Sequence, residues 1–166
     1  MTAVTPEQRL AASGFDLPNS PKPKGHYAPY SCIASDAIRL VSISGQTCRI
    51  DGVAMQGICS EQADLEGPRT AARVAMLNTL AALKLACEDQ LGQVKHLVRL
   101  RGFVRSDESF TAHTAVLDAA SEILAIAFPD LPLPARTAVG VSSLPDKAWI
   151  ELELDVHTQS DGNPLC

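Results

Sequence analysis

The sequence lacks a long apolar run, an excess of basic residues and a metal-binding pattern, and each absence excludes a class of protein. No stretch reaches the roughly 18 uninterrupted apolar residues that a membrane-spanning helix needs. The formal net charge of −5 argues against a broad surface for nucleic acid. The five cysteines, an odd number, include no CxxC pair and no histidine nearby at ligand spacing. We therefore expect no membrane segment, no nucleic-acid partner and no metal.

The N-terminal residues also lack the apolar centre of a secretory signal, because Glu7, Arg9 and Asp16 lie where it would be. Together with the unpaired cysteine count, this makes a reducing cytoplasm the simplest compartment. A hydrophobic content of 46% and a charged content of 20% are ordinary for a globular protein. We predict a single domain over residues 1–166, in which residues 1–24 are an N-terminal extension and lead-in.

Two amphipathic helices are the clearest elements. The first is predicted over residues 66–91, where apolar residues recur every three or four positions, at Ala72, Met76, Leu80, Leu83 and Cys87. The second is predicted over residues 109–128, with Ser109 as its N-cap and Pro129 ending it.

Strands are predicted around these helices, at residues 37–44 and 96–104, because apolar and polar side chains alternate there. Asp51–Gly52 is a tight-turn signal between two short extended pieces. The last segment, 133–156, has the pattern of a two-stranded hairpin. The order strand–strand, helix, strand, helix, strand–strand predicts an α+β fold, with two helices packed on one face of a mixed sheet.

The predicted hairpin gives the first hypothesis about function. Hydrophobic matching would pair the face of Val139 and Val141 with Ile150, so Arg136 would share the opposite face with Glu151. That face also has small residues and Trp149, a mixture that predicts contact with another subunit. The arginine is then either part of a surface ion pair worth about 0–1 kcal/mol, or an anchor for a ligand carboxylate.

Five stretches in order resemble the Rid (YjgF) family, also known as reactive intermediate deaminases or endoribonuclease L-PSP proteins, and in particular its longer branch. The resemblance covers roughly residues 20–158 and is most specific in its final block. The stretches are GHY (25–27), SGQ (44–46), ARVAMLNTLAALKLA (72–86), VKHLVRLRGFV (94–104) and PARTAVGVSSLP with IELEL (134–154).

The resemblance implies a chorismate-mutase-like mixed sheet with two helices on one face, assembled as a homotrimer with ligand sites between subunits. It implies that Arg136 holds the substrate carboxylate and that Glu151 positions or activates water. It further implies a pocket completed by Tyr27, by the SGQ segment with Ser44 and Gly45, and by backbone groups near Arg136, where Ala138 lies.

The family reaction is hydrolysis of reactive enamines or imines, such as 2-aminoacrylate, to 2-oxo acids and ammonia, and it needs no cofactor. An imine carbon is already electrophilic, so an anchored carboxylate and an oriented water suffice. Two positions depart from the family pattern. Ala138 replaces a cysteine, and a residue near Asp118 replaces an asparagine. The alternative function is a non-catalytic, regulatory binder of small carboxylates such as 2-oxo acids, and a ribonuclease or translation inhibitor ranks last.

Overall fold

A five-stranded mixed sheet is the centre of the fold. The computed structural model describes residues 4–35, 38–61 and 64–159. The strands are β1 (Tyr30–Ala34), β2 (Arg39–Thr47), β3 (Arg49–Ile50), β4 (Val53–Ala54), β5 (Val94–Arg105), β6 (Ala135–Val141) and β7 (Ile150–Thr158). The lateral order is β1-β2-β7-β5-β6, while β3 and β4 form a separate hairpin. Only the β5–β6 pairing of the main sheet is parallel.

Within the described ranges, three α-helices accompany the sheet: α1 (Pro6–Ala12), α2 (Glu66–Ala86) and α3 (His113–Ala127). In α2, residues of high helix propensity, mostly Ala and Leu, bury one side against the sheet. The short α1 is stabilised by a capping box, in which Thr5 and Gln8 satisfy each other's backbone N–H groups. The α+β fold is therefore confirmed, with α1 as a third helix that packs against α3.

The core lies between the helices and one face of the sheet. Along β7 the side chains alternate strictly, and Ile150, Leu152, Leu154 and Val156 are all fully buried. Glu151, Glu153 and Asp155 point to the opposite face. A central position in the sheet favours burial of this apolar row, because the helices cover all of its side chains there.

The predicted C-terminal hairpin is wrong, because β6 and β7 are not neighbours. β7 lies between β2 and β5, and β6 pairs in parallel with β5 at the edge of the sheet. The unit β5–α3–β6 is a strand–helix–strand crossover, which produces parallel neighbours. The connection over residues 142–149 contains a short 3₁₀ turn, Pro145–Lys147, and is too long for a tight hairpin turn.

This topology reverses the predicted orientation of Arg136. In β6, Arg136 and Ala138 are paired with Leu100 and Gly102 of β5, which face the helices. Side chains of laterally paired residues point to the same side of a sheet. Arg136 therefore lies on the helix side, and Glu151 on the other.

Several element boundaries also differ from the sequence prediction. Strand β2 continues through SGQ, which forms an irregularity in the strand between Ile43 and Gln46. Helix α2 ends before Cys87, and α3 begins at His113. Ser109 does not cap α3, because its hydroxyl instead donates to Asp107 Oδ1 at 2.6 Å. The Asp51–Gly52 turn is confirmed: both residues have positive φ between β3 and β4.

Gly102 marks the closest approach of β5 to α3 and gives a test of the packing. A Cβ at this position would overlap the side chain of Leu117, which is fully buried. We expect Gly102→Ala to lower the free energy of unfolding by about 1–3 kcal/mol, measured by urea denaturation, because the core must be overpacked. Gly92→Ala is the matched control, since a Cβ there meets nothing. Equal stability of the two variants would contradict the tight packing.

Candidate functional site

A cavity of about 270 Å³ opens on the face of the sheet that carries Glu151. It brings together the predicted site residues Tyr27, Gly45 and Glu151, which are far apart in sequence. The full lining is Pro21, Lys22, Lys24, Gly25, Tyr27, Gly45, Gln46, Thr47, Arg49, Pro145 and Glu151. We refer to it as the Glu151 cavity. Its size suits a metabolite smaller than the drug-sized ligands of roughly 300–1,000 Å³ pockets.

The irregularity in β2 makes room for the Glu151 side chain. Pairing between β2 and β7 is interrupted between Ile43 and Gln46, next to Glu151, which is registered with Thr47. A Cβ on Gly45 would overlap the carboxylate of Glu151. Glycine at this position therefore lets the carboxylate lie directly against the β2 backbone, as bulges near functional sites often do.

The environment of Glu151 alters its protonation. Burial of the carboxyl group, together with the negative charge of Glu153, raises its pKa above the ordinary value, and Arg49 opposes this effect. Glu151 therefore holds a proton to a higher pH than an exposed glutamate. A half-buried carboxyl group with a raised pKa in a cavity is suited to proton transfer.

Tyr27 and Ser44 lie beside the Glu151 cavity in different ways. Tyr27 is half exposed and lines both this cavity and an adjoining one of about 460 Å³. Ser44 lines only the adjoining cavity, and its hydroxyl donates to the backbone oxygen of Ala28 at 2.7 Å. Ser44 therefore fixes the segment before β1, and Tyr27 is the one of the two that faces Glu151.

Arg136 is held at the opposite side of the molecule by α3. Its Nη1 donates to Asp118 Oδ1 and to Ser121 Oγ, both at 2.9 Å. The side chain is 23% exposed and that of Asp118 is 56% exposed, so the ion pair faces solvent. Both bonds use one nitrogen, and the described residues provide no hydrogen bond to Nη2. Ala138 follows on the same face of β6 and is half buried.

Arg136 and Glu151 cannot share a pocket within one chain. They lie on opposite faces of the sheet, and strand β5 separates β6 from β7. A site that uses both residues must therefore form between two copies of the chain, with β6 of one copy beside the Glu151 cavity of the next.

Trp149, which the sequence placed on the face predicted to contact another subunit, is half-buried within the single chain. Its ring packs under Gly57 and Gly67, where a Cβ would overlap the indole, and its backbone N–H donates to Met55. The tryptophan therefore anchors the loop before α2 to the start of β7.

A cluster of charged residues at the cavity was missed by the sequence reasoning. Asp146 pairs with Lys24 Nζ at 2.7 Å and with Arg49 Nη2 at 2.6 Å, and these two partners lower its pKa. Asn78 of α2, which is buried, donates to the backbone oxygen of Arg49 and fixes the start of β3. No sequence spacing connects these residues, because they come from the lead-in, β3 and the turn before β7.

Two further features are absent from residues 4–35, 38–61 and 64–159. No helix in these ranges combines the length and hydropathy needed to span a bilayer. The same ranges contain no group of three or more Cys, His, Asp or Glu side chains arranged to hold a metal ion.

Residues 7–145 match the family described as "YjgF/chorismate mutase-like, putative endoribonuclease". Since this match covers most of the chain, the protein belongs to the YjgF family, and the resemblance seen in the sequence is confirmed.

Individual relatives agree with this assignment. The chain is 31% identical to protein TCP17 of Trypanosoma cruzi over 157 residues, which are 91% of this chain and 95% of TCP17. Its fold is similar to that of Atu1372 from Agrobacterium tumefaciens, a protein of unknown function, with a TM-score of 0.82 and 30% identity over 93% of this chain and 92% of that one. A Shewanella oneidensis protein with the same endoribonuclease description gives a TM-score of 0.81 at 30% identity, over 92% and 98% of the two chains.

The raised pKa of Glu151 predicts a pH-dependent effect of Glu151→Gln on stability. Because folding raises this pKa, the ionised carboxylate destabilises the folded state at neutral pH, and the penalty disappears below the unfolded value of about 4.3. We expect Glu151→Gln to gain stability relative to wild type at pH 7 and to lose that gain at pH 4, in urea unfolding. Exposed Glu108→Gln controls for the loss of a carboxylate. A gain that is the same at both pH values would contradict the raised pKa.

Proposed function

We propose that the protein hydrolyses small enamines or imines of the 2-aminoacrylate type to 2-oxo acids and ammonia. The observation that carries this proposal is the Glu151 cavity, in which a carboxyl group of raised pKa lies against the bulge at Gly45 and faces Tyr27. Arg136 lies on an edge strand, and the described part of the chain gives its Nη2 no hydrogen bond, so it supplies the matching anchor for a carboxylate.

The chemistry needs only binding, orientation and proton transfer. An enamine first becomes the imine by protonation at carbon, and water then attacks the imine carbon. A C–O bond forms as Glu151 accepts a proton from the attacking water. The same carboxyl group returns the proton to nitrogen, which gives a carbinolamine with one hydroxyl and one amino group. The hydroxyl proton is then transferred to nitrogen as the C=O bond forms and the C–N bond breaks, and ammonia and the 2-oxo acid leave. The raised pKa of Glu151 favours this return step.

The proposed assembly is a homotrimer in which Arg136 of one subunit completes the Glu151 cavity of the next. The requirement for two chains follows from the opposite orientations of these residues. A head-to-tail contact that closes into a ring gives one such site per subunit. Apolar side chains exposed on the chain support contact with other copies, among them Ile33 at 73% exposed and Val53 at 72%. In such a site a ligand carboxylate would bind Nη2 of the Arg136 guanidinium, because Asp118 accepts from Nη1.

The second candidate is a non-catalytic binder of small carboxylates, with a regulatory role. The observation that favours it is the ion pair of Arg136 with Asp118, which a ligand carboxylate could extend without any chemistry at Glu151. A ribonuclease ranks behind both, because the net charge is −5 and RNA binding relies on clustered positive charge.

The anchor role of Arg136 predicts weaker ligand binding in Arg136→Ala. Loss of a charge-assisted pair worth about 1.5–3 kcal/mol should raise the Kd for pyruvate or 2-oxobutyrate about 10- to 100-fold in calorimetry. Arg73→Ala is the matched control, because Arg73 also forms an exposed ion pair, with Glu122 at 3.2 Å. Unchanged affinity in Arg136→Ala would show that Arg136 forms only a surface ion pair and does not bind the ligand.

The proton-transfer role of Glu151 predicts a rate effect without a binding effect. Glu151→Gln keeps the shape of the side chain but cannot accept a proton, so hydrolysis of freshly generated 2-aminoacrylate should slow by about 10²–10⁴-fold. Glu153→Gln is the control on the same face, where Glu153 is 3.5 Å from Arg101. Equal, small effects of the two substitutions would favour the non-catalytic binder.

The placement of the two residues on different chains predicts complementation between impaired variants. Arg136→Ala should be impaired in binding and Glu151→Gln in rate when each is expressed alone, and co-expression should restore part of the activity. Each site takes Arg136 from one chain and Glu151 from another. In randomly mixed trimers each of the two residues is intact at about half of the sites, so both are intact at about a quarter of them. Light scattering should report trimers in every case. No recovery in mixed trimers would rule out a site shared between subunits.

A further inference from the structure

The Glu151 cavity is positively charged inside a negatively charged protein. Lys22, Lys24 and Arg49 line it against the single carboxylate of Glu151, which leaves a formal charge of +2 on the lining of a chain whose net charge is −5. Asp146 pairs with Lys24 and Arg49 from outside the lining and reduces the local sum to +1. A concave site of opposite sign to the rest of the surface concentrates the field on an anion.

Two of the three cations, Lys24 and Arg49, are brought together by Asp146, which pairs with both. Arg49 is nearly buried, with a side chain 13% exposed, and it donates to the backbone oxygen of Gly52 as well as pairing with Asp146. Lys24 is 58% exposed and holds the lead-in segment over the cavity through Asp146. Arg49 therefore gives a largely buried positive charge, and Lys22 and Lys24 give solvent-exposed ones.

A ligand bound at Glu151 would be within electrostatic reach of these cations. Arg49 influences the protonation of Glu151, so the two side chains interact across the cavity. In the proposed reaction the carboxylate next to the reacting carbon is held by Arg136 of another chain, and it therefore needs none of the three cations. Their charge remains available for a second anionic group at the other end of the ligand.

We propose that the preferred ligands are dicarboxylates: 2-oxo acids, and the imines that give rise to them, whose distal carboxylate binds Lys22, Lys24 and Arg49. This inference rests on the proposed function, because it takes Arg136 as the anchor for the first carboxylate. It assigns the substrate class to imines of amino acids with an acidic side chain, and it gives the Pro-rich lead-in at residues 18–24 a role in selecting them.

The test compares two ligands that differ only at the distal end. 2-Oxoglutarate has a terminal carboxylate where 2-oxopentanoate, of equal carbon number, has a methyl group. In calorimetry on the full-length protein, wild type should bind 2-oxoglutarate at least about tenfold more tightly, as one added charge-assisted contact would give. The double variant Lys22→Ala/Lys24→Ala should lose this preference while its Kd for 2-oxopentanoate stays within about twofold.

A charge-matched control separates local contact from the overall charge of the protein. Lys84→Ala/Lys95→Ala removes the same two charges, from the end of α2 and from β5, outside the lining of the cavity. It should keep the full preference for 2-oxoglutarate. If it loses the preference to the same extent as the cavity variant, long-range charge accounts for the effect and the inference is overturned.

The remaining outcomes distinguish this inference from the proposed function. Equal affinity of wild type for the two ligands, with both lost in Arg136→Ala, would overturn the dicarboxylate assignment and leave the proposed function intact. Binding of 2-oxoglutarate that depends on the lysines and not on Arg136 would support the cation site and overturn the role of Arg136. Absence of binding for both ligands would overturn both.

Discussion

The alternation of side chains along β7 is the constraint on which the rest of the structure depends. Its apolar row is fully buried against the helices, and this burial keeps β7 in the middle of the sheet. Because successive residues of a strand point to opposite faces, the same burial forces Glu151, Glu153 and Asp155 onto the other face. The position of the candidate catalytic carboxylate is therefore a consequence of core packing.

The central position of β7 also decides where Arg136, the proposed anion anchor, can be. With β5 paired to β7 on one side, the crossover through α3 leaves β6 on the outer edge of β5, and Arg136 faces the helix side. An edge strand has unpaired backbone groups and is available to a second chain. The separation of Arg136 from Glu151 within one chain and the place of β6 at the edge of the sheet thus have one cause, the central position of β7.

The candidate site was predictable where residues belong to a motif and was missed where they do not. Tyr27, Gly45 and Glu151 were named from short stretches that resemble the family, and the structure brings them to one cavity. Lys24 and Arg49 escaped notice because their common partner, Asp146, lies about a hundred residues away along the chain. Contacts between residues so far apart produce no periodicity and no characteristic spacing in the sequence.

The sequence by itself determined the fold class and the family, because helical and strand periodicities are local properties and the matching stretches occur in a fixed order. It did not determine which strands are neighbours. Alternation says which side chains share a face of one strand but not which strand lies beside it, so the hairpin of β6 with β7 was a reasonable but wrong inference. Only the tertiary structure decided that Arg136 and Glu151 lie on opposite faces, because burial of the β7 core row is settled by the whole sheet and its helices together.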